Sequence, residues 1–455
     1  MRVHFIAIGG SAMHNLAIAL SKKGFQVTGS DDVVFEPSKS RLLKYNLLPA
    51  IEGWDTNNIS ADLDAVILGM HARLDNPELL KAQELGLKIY SYPEYIYEQS
   101  KDKLRVVIGG SHGKTTITSM ILHVLNFYKR EFDYLVGAQL EGFETMVKVT
   151  KDAPIIIIEG DEYLASPIDR RPKFHLYKAN IGVISGIAWD HINVFPTYEG
   201  YVDQFKIFIE TIEENGTIIY NDEDLEVKLV VESCQKPVNK LPYSTPKHSV
   251  INGITHLNTD EGSFSLMVFG NHNLLNLNVA RIACNQLNIS NLQFYKAIQS
   301  FTGAARRLEL LGNTNELAIY KDFAHSPSKL KATVQAVKNQ FPDRKLVAVM
   351  ELHTFSSLNK NFLSEYSGSM NEADEAIVFI DNKTFSQKGV EPYTKLDVVT
   401  AFGNEKVKFF NNPEILKEYL TYINYNRKNL LLMSSGNFGN ISLVELTEEI
   451  LLKAQ

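Results

Sequence analysis

Residues 106–120 read VVIGGSHGKTTITSM, and Gly110, Ser111, His112, Gly113, Lys114, Thr115 and Thr116 fall between an apolar run and an amphipathic stretch. Consecutive backbone N–H groups in a glycine-rich turn at a helix start form an anion cradle, and the helix dipole reinforces it. In that setting Lys114 would reach the β- and γ-phosphates of a nucleotide, and the hydroxyl of Thr115 or Thr116 would bind Mg²⁺. The full G-x-x-x-x-G-K-[ST] pattern is broken, because Ile108 occupies its first glycine position. A Gly-Lys helix start with threonine caps is the plainer alternative, and the flanking elements favour the nucleotide.

A magnesium–nucleotide site needs hard oxygen ligands beside the phosphates. Glu159, Asp161 and Glu162 crowd the end of the run IIII, and Asp190-His191 ends the next apolar run. Acids after a strand are common, and an Asp-His pair is often no more than a turn or cap. These groups meet the loop only if the three runs are neighbouring strands of one parallel sheet, as consecutive elements usually are.

The elements that would position these groups repeat along the chain. RVHFIAI, Gly9-Gly10, the helical pattern MHNLAIALSKKG and the strand-like FQVTGSDD form a Rossmann-like layout. Its dinucleotide fingerprint is poor, since glycine would be needed at Ala7 and Ala12. A second set begins near residue 104: LRVVI, the loop, then Ile117, Met120, Ile121, Val124, Leu125 and Tyr128 on one helical face. APIIIIEGDE and IGVISGIAWDH are continuous apolar runs with polar residues only at their carboxyl ends, as parallel strands buried on both faces read. A third set, LAIYKDFAH, KLVAVMELH, EAIVFID and NLLLMSSGNFG, alternates with helical patterns such as SPSKLKATVQAVKNQF. Three α/β domains are expected, at 1–102, 103–302 and 303–455, in line with the length prior for 455 residues.

The composition narrows the class. A net charge of −7 with scattered Lys and Arg offers no electrostatic case for nucleic acid or anionic membrane. Cys234 and Cys284 are the only cysteines, so neither a disulfide framework nor a zinc ribbon is indicated. MRVHFIAIGG reaches glycine too early for a signal-peptide core or a membrane span, and a cytoplasmic protein is expected.

A kinase, a hydrolytic switch and an ATP-driven ligase could all use such a loop. GSHGKTT, EGDE, WDH, NHNLLN, ARRLE and DFAHSP occur in that order over essentially the whole chain. In this order and spacing the chain resembles the Mur ligase family, the ATP-dependent amide-forming enzymes of peptidoglycan precursor synthesis. The resemblance implies a Rossmann-like first domain, a P-loop ATPase-like central parallel sheet and a Rossmann-like third domain. Within the family, GSDDVVFEPSKSRLL, EGDEYLASPIDRRPKFHLY and MSSGNFGNI point to a member that joins L-alanyl-γ-D-glutamyl-meso-diaminopimelate to UDP-N-acetylmuramate. A member that adds L-alanine to the same acceptor is the alternative. A nucleotide-binding regulator without ligase activity and an oxidoreductase are readings of other classes; intact Lys114, Glu159 and His191 weigh against the first, and Ala7 and Ala12 against the second.

By family position, Lys114 binds the β- and γ-phosphates, Thr115 and Glu159 hold one Mg²⁺, and Glu159 with His191 a second. Asn273 and Asn276 lie at the adenine side, Asp322 at the ribose, and Arg307 approaches the phosphates. His325 is placed near the nucleotide or the incoming peptide. Gly9, Gly10 and Ser11 approach the diphosphate of the UDP-sugar, Asp31 its nucleoside region, and His71 is a further contact. The implied partners are ATP, UDP-N-acetylmuramate and a peptide or amino-acid amine, in a monomer or weak homodimer. Lys321 and Ser326 stand where the family commonly has Asp and His, and His14 where a small residue is usual. Gly160 replaces an alanine, a harmless exchange between small residues. Arg170, Arg171 and Lys173 could meet an acidic peptide or form a solvated turn. Asn437 and Phe438 could line a peptide site, Trp189 reads as a packing residue, and Glu351 and His353 are unassigned candidates.

Overall fold

The apolar runs become strands because both of their faces are covered. Val106, Val107 and Ile108 are fully buried in the strand Leu104–Gly109, as are Ile156, Ile157 and Ile158 in Ile155–Glu159. Each such side chain contributes about 1.5–3 kcal/mol by leaving water. A computed structural model describes residues 1–189, 194–304 and 308–454. They form two compact units, one of Met1–Thr245 with Leu275–Ile298, the other of Pro246–Leu274 with Gln299–Gln455.

Among the described residues, the first unit holds two sheets. A four-stranded parallel sheet runs Gln26–Ser30, Arg2–Ile6, Ala65–Leu68, Ile89–Ser91. The helix Pro77–Glu84 that covers part of it starts where Asn76 accepts from the Glu78 and Leu79 N–H groups and Pro77 presets the first turn. A capping box between Ser91 and Glu94 opens the helix Tyr92–Ser100.

The second sheet runs Asn239–Tyr243, Thr217–Asn221, Ile181–Ile184, Leu104–Gly109, Ile155–Glu159, Asp133–Leu135, Val147–Lys148, and only the last pairing is antiparallel. The strand before the glycine loop therefore lies between the two runs whose polar ends matter. Ile108 pairs with Glu159, and Gly109 with Ile184. The helix Lys114–Phe127 follows the loop with Ile117, Met120, Ile121, Val124 and Leu125 fully buried, while Tyr128, its C-cap, is half-buried.

The second unit contains a six-stranded sheet ordered Glu309–Asn313, Ala318–Asp322, Lys428–Met433, Lys345–Glu351, Glu375–Phe379, Lys408–Phe410. Its first pairing is antiparallel with a bulge at Leu310/Gly312, and the others are parallel. The expected helix over SPSKLKATVQAVKNQF spans Pro327–Gln340. This unit also carries an antiparallel three-stranded sheet, His248–Ile251, Ile254–Thr259 and Gly262–Leu266, that the sequence reading does not anticipate. No helix among the described residues is long and apolar enough to cross a membrane.

Candidate active site

The loop after Leu104–Gly109 is shaped by its neighbours at the carboxyl end of the sheet. Ser111 donates to the Ala188 carbonyl (2.8 Å) and lies 2.9 Å from the Tyr201 hydroxyl, and Ser185 donates to the His112 carbonyl. Gly113 caps the helix in a left-handed conformation, φ 76°, and a Cβ there would stand 2.2 Å from Asn276 Oδ1. Lys114 Nζ donates to the Gly110 carbonyl (2.7 Å) and to Glu162 Oε2 (2.8 Å), while Gly110 N–H donates to Glu162 Oε1 (2.9 Å). Burial works against the Lys114 charge, yet Glu162, then Asp161 and Glu159, hold its pKa above the ordinary lysine value. Glu162 is thus the direct partner of the loop lysine, a role the sequence leaves undivided among three acids. Thr116 is buried in the first helical turn.

Thr115 Oγ1 donates to Glu159 Oε1 at 2.7 Å, and the Gly137 N–H donates to Oε2 at 2.7 Å. Burial pushes the Glu159 carboxyl above its ordinary value, although the Gly137 N–H, Thr115 and Lys114 work to lower it. A desolvated carboxylate beside a threonine hydroxyl at the mouth of the glycine loop suits a hard divalent cation. Mg²⁺ commonly takes one or two protein oxygens and completes its shell with water and phosphate. Among the described residues no cluster of three or more His, Cys, Asp or Glu could hold a metal ion. Asp190, His191 and Arg307 lie outside the described residues. Asp161 faces Lys173 at 2.6 Å; burial would raise its pKa, but Lys173 holds it below the usual carboxylate value.

Among the neighbouring residues, Gly160 departs from its sequence reading. Gly160 is no harmless replacement for alanine, since a Cβ would lie 2.9 Å from Val107 Cγ1 and 3.1 Å from the Ile108 carbonyl oxygen. Arg171 pairs with Asp169 (2.7 Å) and Glu94 (3.3 Å), and Arg170 is exposed. Trp189 is 44% exposed, donates to the Phe195 carbonyl and meets Tyr198 edge-on.

In the four-stranded sheet, Ala7 adopts φ 68°, the left-handed conformation that the missing fingerprint glycine would take without strain. Gly9 N–H donates to Asp31 Oδ2 (2.7 Å), so this amide is held by the acid that the sequence places at the nucleoside. Burial raises the Asp31 pKa against that hydrogen bond. Gly10 and Ser11 open the helix Ser11–Lys22. Asp31, His71, Ala7, Trp54 and Asn76 line a cavity of about 350 Å³. Trp54 is absent from the sequence candidates; its place beside Gly53 in an irregular stretch between strands was the available signal. His14 is buried, with Nδ1 2.9 Å from the Gly10 carbonyl and 3.0 Å from Ser38 Oγ.

Asn276 sits against Gly113. Asn273, three residues earlier in the helix Asn271–Gln286, belongs to the second unit, where its Nδ2 donates to the Phe269 carbonyl (2.9 Å). Asp322 accepts from the Leu308 and Ala324 N–H groups, each at 2.7 Å, and His325 Nδ1 lies 2.8 Å from the Phe323 carbonyl oxygen. Lys321 pairs in register with Glu309, and Ser326 precedes the helix Pro327–Gln340. Glu351 is buried and accepts from Ser434 Oγ and from the Phe438 N–H (2.9 Å). Phe438 stacks on Phe379 in the core rather than lining a site, while Asn437 stays exposed. His353 Nδ1 and Ser435 Oγ are buried atoms without a hydrogen-bond partner among the described residues.

Three family profiles match in succession: the "Mur ligase family, catalytic domain" over residues 2–103, the "Mur ligase middle domain" over 108–284 and the "Mur ligase, glutamate ligase domain" over 306–436. A UDP-N-acetylmuramate–L-alanine ligase from Caldicellulosiruptor bescii is 33% identical over 390 residues, covering 82% of each chain. The crystal structure of a UDP-N-acetylmuramate-alanine ligase from Thermotoga maritima has a TM-score of 0.67 at 19% identity, covering 100% of this chain and 99% of that one. That of a murein peptide ligase from Psychrobacter arcticus has a TM-score of 0.63 at 21% identity, covering 99% and 98%. The chain belongs to the Mur ligase family of ATP-dependent, amide-forming ligases.

Proposed function

We propose that the chain joins the tripeptide L-alanyl-γ-D-glutamyl-meso-diaminopimelate to UDP-N-acetylmuramate in the cytoplasm, as a murein peptide ligase does. The modules would be 1–102 for the UDP-sugar, 103–302 for ATP and 303–455 for the amine. The arrangement that carries the ligase reading is Lys114, Thr115 and Glu159 gathered at the carboxyl ends of adjacent parallel strands. The stretch EGDEYLASPIDRRPKFHLY, which leaves that strand end, supports the peptide as amine.

In this reading a carboxylate oxygen of the muramyl group attacks the γ-phosphorus, giving an acyl phosphate and ADP. The amine nitrogen then attacks the acyl carbon, the C–O bond to phosphate breaks, and nitrogen loses a proton. Oxide is a hopeless leaving group from a carboxylate, and phosphate is a good one. Phosphoryl transfer leaves little covalent work to protein groups, so position and charge dominate. Lys114 would exchange Glu162 for phosphate oxygens, and the loop amides with Gly113 would orient the chain of phosphates. Thr115 and Glu159 would hold Mg²⁺, which when bound neutralises charge growing on the bridging oxygens. Gly10 and Ser11 would face the diphosphate, Asp31 and His71 the nucleoside, Asn273 and Asn276 the adenine, and Asp322 the ribose; His191, Arg307 and His325 keep the roles their family positions imply.

The L-alanine ligase reading is favoured by a different observation, the curated relatives that carry that name. Purified protein with ATP, Mg²⁺ and UDP-N-acetylmuramate should release ADP and phosphate and form a new amide much faster with the tripeptide than with L-alanine. The reverse preference, read by mass spectrometry of the product, reassigns the amine.

A further inference from the structure

Arg41 lies on the short helix Ser38–Lys44, to which the proposed function assigns no residue. The residue is half-buried and its Nη2 donates to Gln139 Oε1 at 3.0 Å. Nearby Lys22 and Lys44 both reach Glu144, at 2.6 and 3.2 Å, whereas among the described residues no carboxylate stands within ion-pair distance of Arg41. A guanidinium cannot shed its proton, so partial burial without a counter-ion is unfavourable until an anion arrives.

Two contacts say where that anion would come from. Ser38, three residues before Arg41, approaches His14, which in turn meets the Gly10 carbonyl of the first turn. Burial, with the charge of Arg41 acting in the same direction and the Gly10 carbonyl against it, holds the His14 imidazole below its ordinary pKa. On the other side, Gln139 follows by two residues the Gly137 whose N–H holds Glu159. Arg41 therefore stands between the turn expected to meet a diphosphate and the loop that braces the metal carboxylate, all within one compact unit.

We propose that Arg41, steadied by Gln139, is an anion-binding residue for the UDP-sugar acceptor, gripping either a diphosphate oxygen or the muramyl carboxylate. This rests on the acceptor assigned above and adds a specificity determinant to it. The planar fork matches either oxyanion in a bidentate manner that an ammonium cannot.

The test is calorimetric titration of wild type, Arg41→Gln and Arg41→Lys with UDP-N-acetylmuramate and with UDP-N-acetylglucosamine, which has the same diphosphate but no lactyl carboxylate. Arg41→Gln should bind UDP-N-acetylmuramate about tenfold more weakly or worse, and Arg41→Lys should recover part of the loss. In turnover the acceptor KM should rise while the ATP KM stays constant, a split that general loosening of the fold does not produce. Weakening towards both sugars assigns the diphosphate, and weakening confined to the muramate assigns the carboxylate; either supports the proposal. Wild-type affinity for both sugars in folded Arg41→Gln overturns it while leaving the function standing. A wild-type protein that binds neither sugar overturns both. Should Arg41→Gln fail to fold, Arg41→Lys decides alone: undiminished affinity for both sugars refutes a bidentate grip.

Discussion

Gly113→Ala is the sharpest test of how the glycine loop is built. The residue sits at φ 76°, where an L-side chain costs about 1–2 kcal/mol relative to its usual conformations. Its added Cβ would meet Asn276 Oδ1 at 2.2 Å and Cγ at 3.0 Å, against 3.4 Å for an ordinary contact. The amide must therefore retreat by about 1 Å or leave its rotamer, adding roughly 0.5–1.5 kcal/mol. The combined cost is about 1.5–3.5 kcal/mol, falling on the turn that directs the loop amides and launches the helix carrying Lys114 and Thr115. ATP affinity, followed by calorimetry, should drop by at least about tenfold, and thermal melting of the variant should begin earlier. The double variant Gly113→Ala/Asn276→Ala removes every side-chain atom that the new Cβ meets most closely and leaves the torsional cost. It should regain part of the lost affinity beyond what Asn276→Ala alone predicts. Wild-type affinity and melting in Gly113→Ala would refute the reasoning, as would a double variant no better than the sum of the singles.

Lys114→Met should abolish turnover and also lower stability by about 3 kcal/mol, because it leaves Glu162 buried with only the Gly110 N–H. Adding Glu162→Gln should restore melting but not turnover; stability unchanged in the single variant would show that the pair carries no such energy. His175 is buried, donates Nε2–H to the Gln204 carbonyl and stacks on Phe174; burial lowers its pKa from 6.5 to about 4. Because the native state binds the proton less well than the unfolded chain, stability should be unaffected above pH 6.5 and fall as pH drops from there to about 4, by about 3 kcal/mol in all. Denaturant titrations across that range should show a flatter profile for His175→Gln, and parallel profiles would refute the assignment.

Much of the fold was legible because buried parallel strands leave continuous apolar runs. The runs ending at Gly109 and Glu159 needed only lateral adjacency to bring the glycine loop and the carboxylate together, and the pairing of Ile108 with Glu159 supplies it; the third strand stops at Ile184, well before Asp190-His191, which lie outside the described residues. Division of labour among neighbouring acids was not legible. Glu159 and Glu162 differ by three positions in an irregular exit, and only the backbone path sends one to Thr115 and the other to Lys114. The brace from Gly137 to Glu159 spans 22 residues and leaves no periodic trace. Ala7 misled in the other direction: the turn keeps the left-handed torsion of a fingerprint glycine after losing the glycine itself. Phe438 read as a candidate peptide contact because it follows a buried strand, but its ring stacks on Phe379. The small sheet at His248–Leu266 escaped because its strands bury little and alternate weakly.

The stretch from Val136 to Met146 closes on itself, with Val136 N–H donating to the Met146 carbonyl at 2.9 Å. Just inside that neck Gly137 is tied to Glu159, while Met146 N–H reaches Asn15 Oδ1 on the first helix at 2.9 Å. Glu144 adds Lys22, Lys44 and Tyr45 as further moorings. Connections between elements ordinarily drift in length among relatives because nothing but solvent meets them. This one is fastened at both feet and again at Glu144, so a single inserted or deleted residue would shift the carboxylate brace or tear Glu144 from Lys22 of the first helix. Its span is accordingly as constrained as that of a strand, although it contains no regular structure.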